Sequence, residues 1–362
     1  MMHDSGDGIN KPKNTLGAQK ADVEKKRIGW IDQAKGIGLM LVMFGHCYLD
    51  EKLTFLFLAF HMPLFFFLSG YTFRGRGNYL TFVVNKARSL LIPYAFLAVV
   101  LILVDGVFAT VYGRSYSFVN AGISFLLQRR HTVLWFLTCL FLMEQVLYWV
   151  ERAENYARNT DLYYAVLGVL FFALFIVYRE FVGIDLVWNL DLVLPALPFA
   201  CLGKICCSLD KRFVCKKTTL WICLAVATAL LCVSSFINWS FFGKTDWYSN
   251  AYGNYFLFTI GAVSGVLVVI VLSKLYNCKF LCWLGKNTLA FYGLHRIVLD
   301  YLFVLFGKLR ITAPNDSVLY LLISVAAVLL AVALLTPVNA VVMRFVPCLL
   351  GKKRNQHIGA RQ

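Results

Sequence analysis

The chain has 362 residues, of which 60% are hydrophobic and 15% charged, against roughly 25% charged in an average soluble domain. Together with a mean hydropathy of +0.69, this excludes a water-soluble globule, a disordered chain, a coiled coil and a collagen. The net charge of +16, from 35 Lys and Arg against 19 Asp and Glu, does not point to a nucleic acid, because the basic residues sit in short blocks between apolar runs, such as Lys25-Lys26-Arg27, Lys211-Arg212, Lys216-Lys217 and Lys352-Lys353-Arg354, where positive-inside bias accounts for them.

The expected fold is all-α, a polytopic transmembrane helical bundle of about ten spans. Residues 1–26 are polar, rich in Lys, Asp, Gly and Asn, with no small-residue cleavage site before the first apolar run. They read as a disordered cytoplasmic arm and not as a cleaved signal peptide. Residues 27–350 form the transmembrane domain, and 351–362 a basic cytoplasmic tail. Apolar runs place spans near 31–49, 53–73, 89–112, 132–150, 162–178, 186–206, 218–239, 254–272, 280–306 and 318–345. The polar turn Asp50-Glu51-Lys52 makes the first two a helical hairpin.

Alternating the loops across the bilayer puts about 26 Lys and Arg on the side of both termini and about nine on the other. Both termini are therefore expected in the cytoplasm, with the protein a multi-pass component of the plasma (inner) membrane. Arg129-Arg130 is the least conforming block on the outer side. The eleven cysteines mostly lie inside apolar runs, and no C-x-x-C with suitably spaced His occurs, so free thiols and no metal site are expected. Trp30, Trp135, Trp188, Trp221, Trp239, Trp247 and Trp283 fall near predicted interfaces and read as headgroup anchors.

Polar residues inside the spans mark candidate function, because a central charge costs roughly 2.5–3.5 kcal/mol on insertion scales. The first span holds Asp32, Lys35 and His46. At about 100° per residue, the steps from Lys35 to His46 close three turns plus roughly 20°, and Asp32 to His46 stops about 40° short of four, so all three share a face. His46 lies about 16 Å beyond Lys35. The competing readings are a Lys that snorkels to the interface and a His that packs between helices.

In the second span His61-Met62-Pro63 joins an imidazole to a helix-bending proline, and His61 serves either catalysis or a structural hydrogen bond. The fourth span contains Leu134-Trp135-Phe136-Leu137 and Glu144, and the sixth Asn189, Asp191, Pro195 and Pro198. The ninth runs from Gly285-Lys286-Asn287-Thr288 to His295, with Asn287 and Tyr292 able to hydrogen-bond between helices. Glu144 and Asp191 belong either to a site or to interhelical packing.

These segments resemble the integral-membrane acyltransferases of the acyltransferase 3 type, and in particular the branch similar to fucose 4-O-acetylases. The resemblance covers most of the chain and rests on Ile31-Asp32-Gln33-Ala34-Lys35-Gly36 through Gly45-His46 and on Phe60-His61-Met62-Pro63 through Ser69-Gly70. Leu91-Ile92-Pro93-Tyr94, Leu134 to Leu137, Leu197-Pro198-Phe199 with Gly203, and Leu284 to Leu289 with His295 support it. In that family a basic residue, ten positions and a histidine are associated with catalysis, and this chain has Lys35 and His46 where the family usually has Arg and His. Lys keeps the charge without the bidentate fork. The Trp-Ser-Leu-x-x-Glu segment of many members is here Trp135-Phe136-Leu137-Thr138-Cys139-Leu140, without its Glu.

The resemblance implies transfer of an acyl group, commonly acetyl from acetyl-CoA, to a hydroxyl of a sugar or cell-surface glycan or glycolipid. His46 is the expected general base, with Lys35, Asp32 and His61 beside it in the catalytic set. Lys35, Arg74, Arg76, Lys86 and Arg88 are the expected contacts of the CoA phosphates, Asp32 orienting Lys35 by an i,i+3 pair. Glu144, Asn287, Tyr292 and His295 are expected to support the substrates. The rivals are a transporter or flippase for a glycan or small solute, whose inverted repeats are not evident, and a non-catalytic membrane scaffold, which has no use for His46.

Overall fold

A computed structural model describes residues 28–351; the predicted N-terminal arm and residues 352–362 of the tail lie outside the described residues. Helix α1 (Gly29–Gly45) is followed by α2 (Glu51–Leu58), whose first turn is capped by the Asp50 carboxylate accepting from the Lys52 N–H, and by α3 (His61–Thr72). Helix α4 (Tyr79–Lys86) continues through a π-helical turn into α5 (Ile92–Val111), and the short α6 (Phe118–Leu127) leads to α7 (Trp135–Ala153). Then come α8 (Thr160–Phe181), α9 (Val193–Arg212), α10 (Lys217–Phe242), α11 (Tyr255–Leu275), α12 (Lys279–Lys286), α13 (Thr288–Lys308) and α14 (Val318–Phe345). The architecture is the expected all-α polytopic bundle.

Among the described residues, eight helical units are long and apolar enough to cross a bilayer. The other two predicted spans are α1, with 17 residues, and α7, which carries Glu144, Glu151 and Arg152. Two spans read as single runs are broken. The second splits at Ala59-Phe60 into α2 and α3, because Pro63 has no N–H for the Ala59 carbonyl. The ninth splits at Asn287 into α12 and α13. The first stops at Gly45, leaving His46 just past the helix end.

The core surrounds α3, whose Leu64, Phe66, Phe67 and Leu68 are buried; it packs on α1, α9 and α11. Close approach is secured by missing side chains. A Cβ at Gly70 would lie 2.1 Å from the Ala200 carbonyl oxygen of α9, and one at Gly285 would lie 1.7 Å from the Asp32 carbonyl oxygen of α1, so these helices meet backbone to backbone. Helix α8 is the opposite case: only 11% of its apolar window is buried inside the protein. It lies at the periphery, with Val166, Val169, Leu174 and Val177 turned outward, as lipid contact requires.

Two of the seven tryptophans read as anchors are instead core residues. Trp247 is packed among Phe66, Phe199 and Phe258, and Trp135 is buried at the start of α7. Tertiary packing, which composition does not reveal, takes these rings away from the headgroups. All eleven cysteines are free.

Candidate active site

Two cavities inside the bundle share part of their walls. The first, of about 310 Å³, is bordered by Lys35 near the start of α1, Ser69 and Thr72 near the end of α3, the α12–α13 break from Gly285 to Ala290, and Met343 and Leu350 near the end of the described chain. This is the lysine chamber. The second, of about 380 Å³, is bordered by His46, His61, Arg296, Lys244, Asp246 and Trp135, among others. It is the histidine chamber. Met62 and Tyr292 line both, so one thioether and one phenol ring stand where the chambers meet.

In the lysine chamber two ammonium groups, Lys35 and Lys286, face a wall dominated by Phe65, Leu68, Phe136, Leu137 and Leu140. Glu144 of α7 also lines it, accepting hydrogen bonds from Lys86 Nζ at 2.7 Å and Ser69 Oγ at 3.1 Å. That pair ties α3, α4 and α7 together. Lys86 is further held over the rings of Phe73 and Phe82, with its ammonium 5.6 and 5.7 Å from their centroids. Asn287 closes the chamber edge at the helix break, its Nδ2 donating to the Trp283 carbonyl at 2.9 Å within its own segment.

The histidine chamber is lined by two imidazoles, with a third buried behind them. His61 opens α3, and its Nδ1 lies 3.1 Å from the Phe57 carbonyl. A carbonyl only accepts, so Nδ1 carries the proton and the neutral ring keeps its lone pair on Nε2. His46, directly after the last turn of α1, meets the ring of His295 from α13 at a centroid distance of 5.1 Å and an interplanar angle of 50°. His295 is fully buried behind it. Tyr292, one turn before His295, donates its hydroxyl to the Val133 carbonyl just ahead of α7. That bond joins α13 to the turn before α7.

The loops over this chamber are fixed by a buried polar network. The Arg130 guanidinium donates to Asp185 and to Asp191, the latter side chain only 1% exposed. The Arg130 N–H donates to Asn189 Oδ1 at 2.9 Å, and Asn250 Nδ2 donates to Asp191 Oδ2 at 3.1 Å. Arg130, Asn189 and Asn250 all have positive φ, between 49° and 57°. This strained backbone is retained because the network over-determines it. It also explains why Arg130 departs from the charge bias of the loops: it is an interior ion-pair partner and not a solvated loop charge.

The site residues read from the sequence therefore separate. Lys35 lies in α1 and His46 just past its end, about 16 Å further by helical rise, and the two line different chambers. Asp32 is buried where α1 packs on α12. Of the five bases assigned to a CoA donor, Lys35 lines the lysine chamber and Lys86 reaches it through Glu144. Arg74, Arg76 and Arg88 lie on the exposed surface and are absent from the walls of both chambers. Glu144, Asn287 and Tyr292 border the lysine chamber, Tyr292 both; Asp191 serves the loop network. Sequence reasoning missed Lys286, Arg296, Lys244 and Asp246. Arg296 directly follows His295 and Lys286 lies in the quoted Leu284-to-Leu289 segment, so both were within reach, whereas Lys244 and Asp246 sit in a loop with no local signal.

A family model of the acyltransferase 3 type, described as an acyltransferase domain, matches residues 28–336. No curated protein and no solved structure matches the chain at a significant level. The match takes in both chambers almost completely, from Lys35 to Arg296. The chain belongs to the acyltransferase 3 family and is a multi-pass membrane acyltransferase.

Proposed function

We propose that this protein moves a short acyl group, acetyl in the first instance, from acyl-CoA at the cytoplasmic face of the plasma membrane to a hydroxyl of a sugar or glycolipid at the outer face. The observation that carries this reading is the junction of the two chambers at Met62 and Tyr292: a cationic, largely apolar pocket abuts an imidazole-rich one. An acyl-CoA has the matching chemistry. Its phosphates suit Lys35 and Lys286, and the thin pantetheine arm suits the apolar wall leading inward. Lys35 in the first half of α1 and Leu350 near the end of the described chain border the lysine chamber, and charge bias assigns both termini to the cytoplasm.

His46 acts as general base. A sugar hydroxyl is a weak nucleophile near neutral pH, and an imidazole is the side chain best matched to take its proton as the oxygen attacks the thioester carbonyl. The carbon–sulfur bond then breaks, the new ester forms, and the proton held by the imidazole leaves on the CoA thiol. The cation of Arg296 in the same chamber supplies attraction for an anionic acceptor or for the developing oxyanion.

The test is transfer itself. Purified full-length protein in lipid nanodiscs, given radiolabelled acetyl-CoA and a panel of mono- and oligosaccharides and glycolipids, is expected to label at least one acceptor, with label lost in His46→Ala. Absence of labelling across the panel, together with no measurable binding of acetyl-CoA, overturns the reading.

A further inference from the structure

The mechanism above uses His46 and leaves His295 without a task, although His295 is among the least accessible polar side chains of the chain, with 0% of its surface exposed. Its Nδ1 lies 2.7 Å from the Tyr292 carbonyl and 3.2 Å from the Phe291 carbonyl. Both are acceptors, so Nδ1 carries the proton and a neutral ring presents a lone pair at Nε2. That Nε2 is buried and has no hydrogen-bond partner within the described protein. A buried acceptor left this way is unfavourable and calls for a donor.

The neighbouring groups narrow the donor. The hydroxyl of Tyr292, whose ring centroid is 6.1 Å from that of His295, is already engaged on the Val133 carbonyl. The ring of His46 is closer, at 5.1 Å, in direct contact and tilted by 50°. His46 also borders the chamber, so it stands between the substrate space and the buried ring.

We propose that His295 is a positioning residue for His46: its Nε2 accepts a hydrogen bond from one imidazole nitrogen of His46 and so leaves the other nitrogen unprotonated toward the acceptor hydroxyl. The inference rests on the acyl-transfer reading for its consequence but not for its geometry. In the reaction His46 takes the hydroxyl proton on its chamber-facing nitrogen, becomes an imidazolium, and keeps its rear N–H on His295. His295 itself gains and loses no proton. Its own orientation is fixed in turn by the backbone carbonyls one turn earlier on α13. This is the orienting task that a carboxylate performs behind the histidine of a hydrolytic triad, carried here by a neutral ring. A neutral acceptor suits a fully buried position, where a carboxylate would suffer desolvation.

Two measurements test it. In the full-length protein labelled with ¹⁵N-histidine, NMR is expected to show His295 protonated at Nδ1 and bare at Nε2, with a scalar coupling across the hydrogen bond to His46; assignment uses His295→Gln. A His295 ring protonated at Nε2, or one without coupling to His46, overturns the proposal. In kinetics, His295→Leu is expected to lower kcat about tenfold to a hundredfold with the KM for acyl-CoA within about twofold of wild type, because donor binding lies in the other chamber. His295→Gln, whose amide oxygen can replace the Nε2 acceptor, is expected to recover most of that loss. A His295→Leu variant with a wild-type melting temperature and unchanged kcat also overturns it. If the wild-type protein transfers no acyl group, the proposed function fails while the NMR result still decides whether the two rings are paired.

Discussion

The two chambers are built by different means. The lysine chamber is made from helix ends and one helix break: the start of α1, the end of α3, the α12–α13 junction and the end of α14. Lys286 stands at the helix break, and the ammonium of Lys86 is held in place by Glu144 and two aromatic rings. The histidine chamber is roofed by loops whose backbone is held at positive φ by the buried Arg130–Asp191 network. The difference suits the two tasks proposed for the chambers. A long phosphorylated donor needs charge and an open mouth, whereas a proton acceptor needs a rigid, partly dehydrated setting.

The comparison breaks most sharply at His46. Replacement by Ala is expected to lower acyl transfer by about 10² to 10⁴ while equilibrium binding of acyl-CoA, measured by calorimetry, stays unchanged. A purified His46→Ala protein that retains turnover would place the chemistry elsewhere. Asp191→Ala comes next and acts on stability, since it removes the better buried of the two partners of the Arg130 guanidinium. The expected cost is about 3 kcal/mol, the lower end of the range for breaking a buried pair because Asp185 remains. A thermal melt in detergent checks it, and an unshifted midpoint would show that the loops over the histidine chamber are held by packing alone.

Smaller effects sharpen the boundary. Lys35→Ala is expected to raise the KM for acyl-CoA about tenfold, equivalent to about 1.4 kcal/mol, with kcat preserved, and Lys35→Arg to restore it; steady-state kinetics with varied donor measure both. An effect on kcat alone would move Lys35 out of the donor chamber. Met62→Ala removes one of the two side chains shared by the chambers and is expected to improve a four-carbon acyl donor over acetyl by about fivefold, within the range of a few methylenes in an apolar pocket. Competition between two labelled donors reads this directly, and an unaltered ratio would show that Met62 does not bound the acyl group.

Much of the site was legible because polar atoms inside apolar spans are conspicuous. Lys35, His46, His61, Glu144, Tyr292 and His295 all stand out against runs of Leu, Val and Phe, and each borders a chamber or touches a residue that does. Arg74, Arg76 and Arg88 did not join them: charge bias marks the side of the membrane a base lies on, not whether it turns toward a cavity. The helix breaks at Ala59-Phe60 and Asn287 were only half legible. Pro63 announces the first through its missing N–H, while nothing in the residues around Asn287 demands a break.

By itself the sequence determined the solvent. Sixty per cent hydrophobic residues in runs of helix length leave a membrane bundle as the stable answer, since backbone polar groups in hydrocarbon must be satisfied within each helix. It also marked the candidate site, because a few costly polar side chains persist there. Only the tertiary structure decided how those residues are divided. Lys35 lies in α1 and His46 just past its end, yet Met62 and Tyr292, brought in from α3 and α13, stand between two chambers, and His295 meets His46 from more than two hundred positions away. Contacts between helices depend on side-chain shapes meeting across the bundle, and no periodicity along one strand of sequence encodes them.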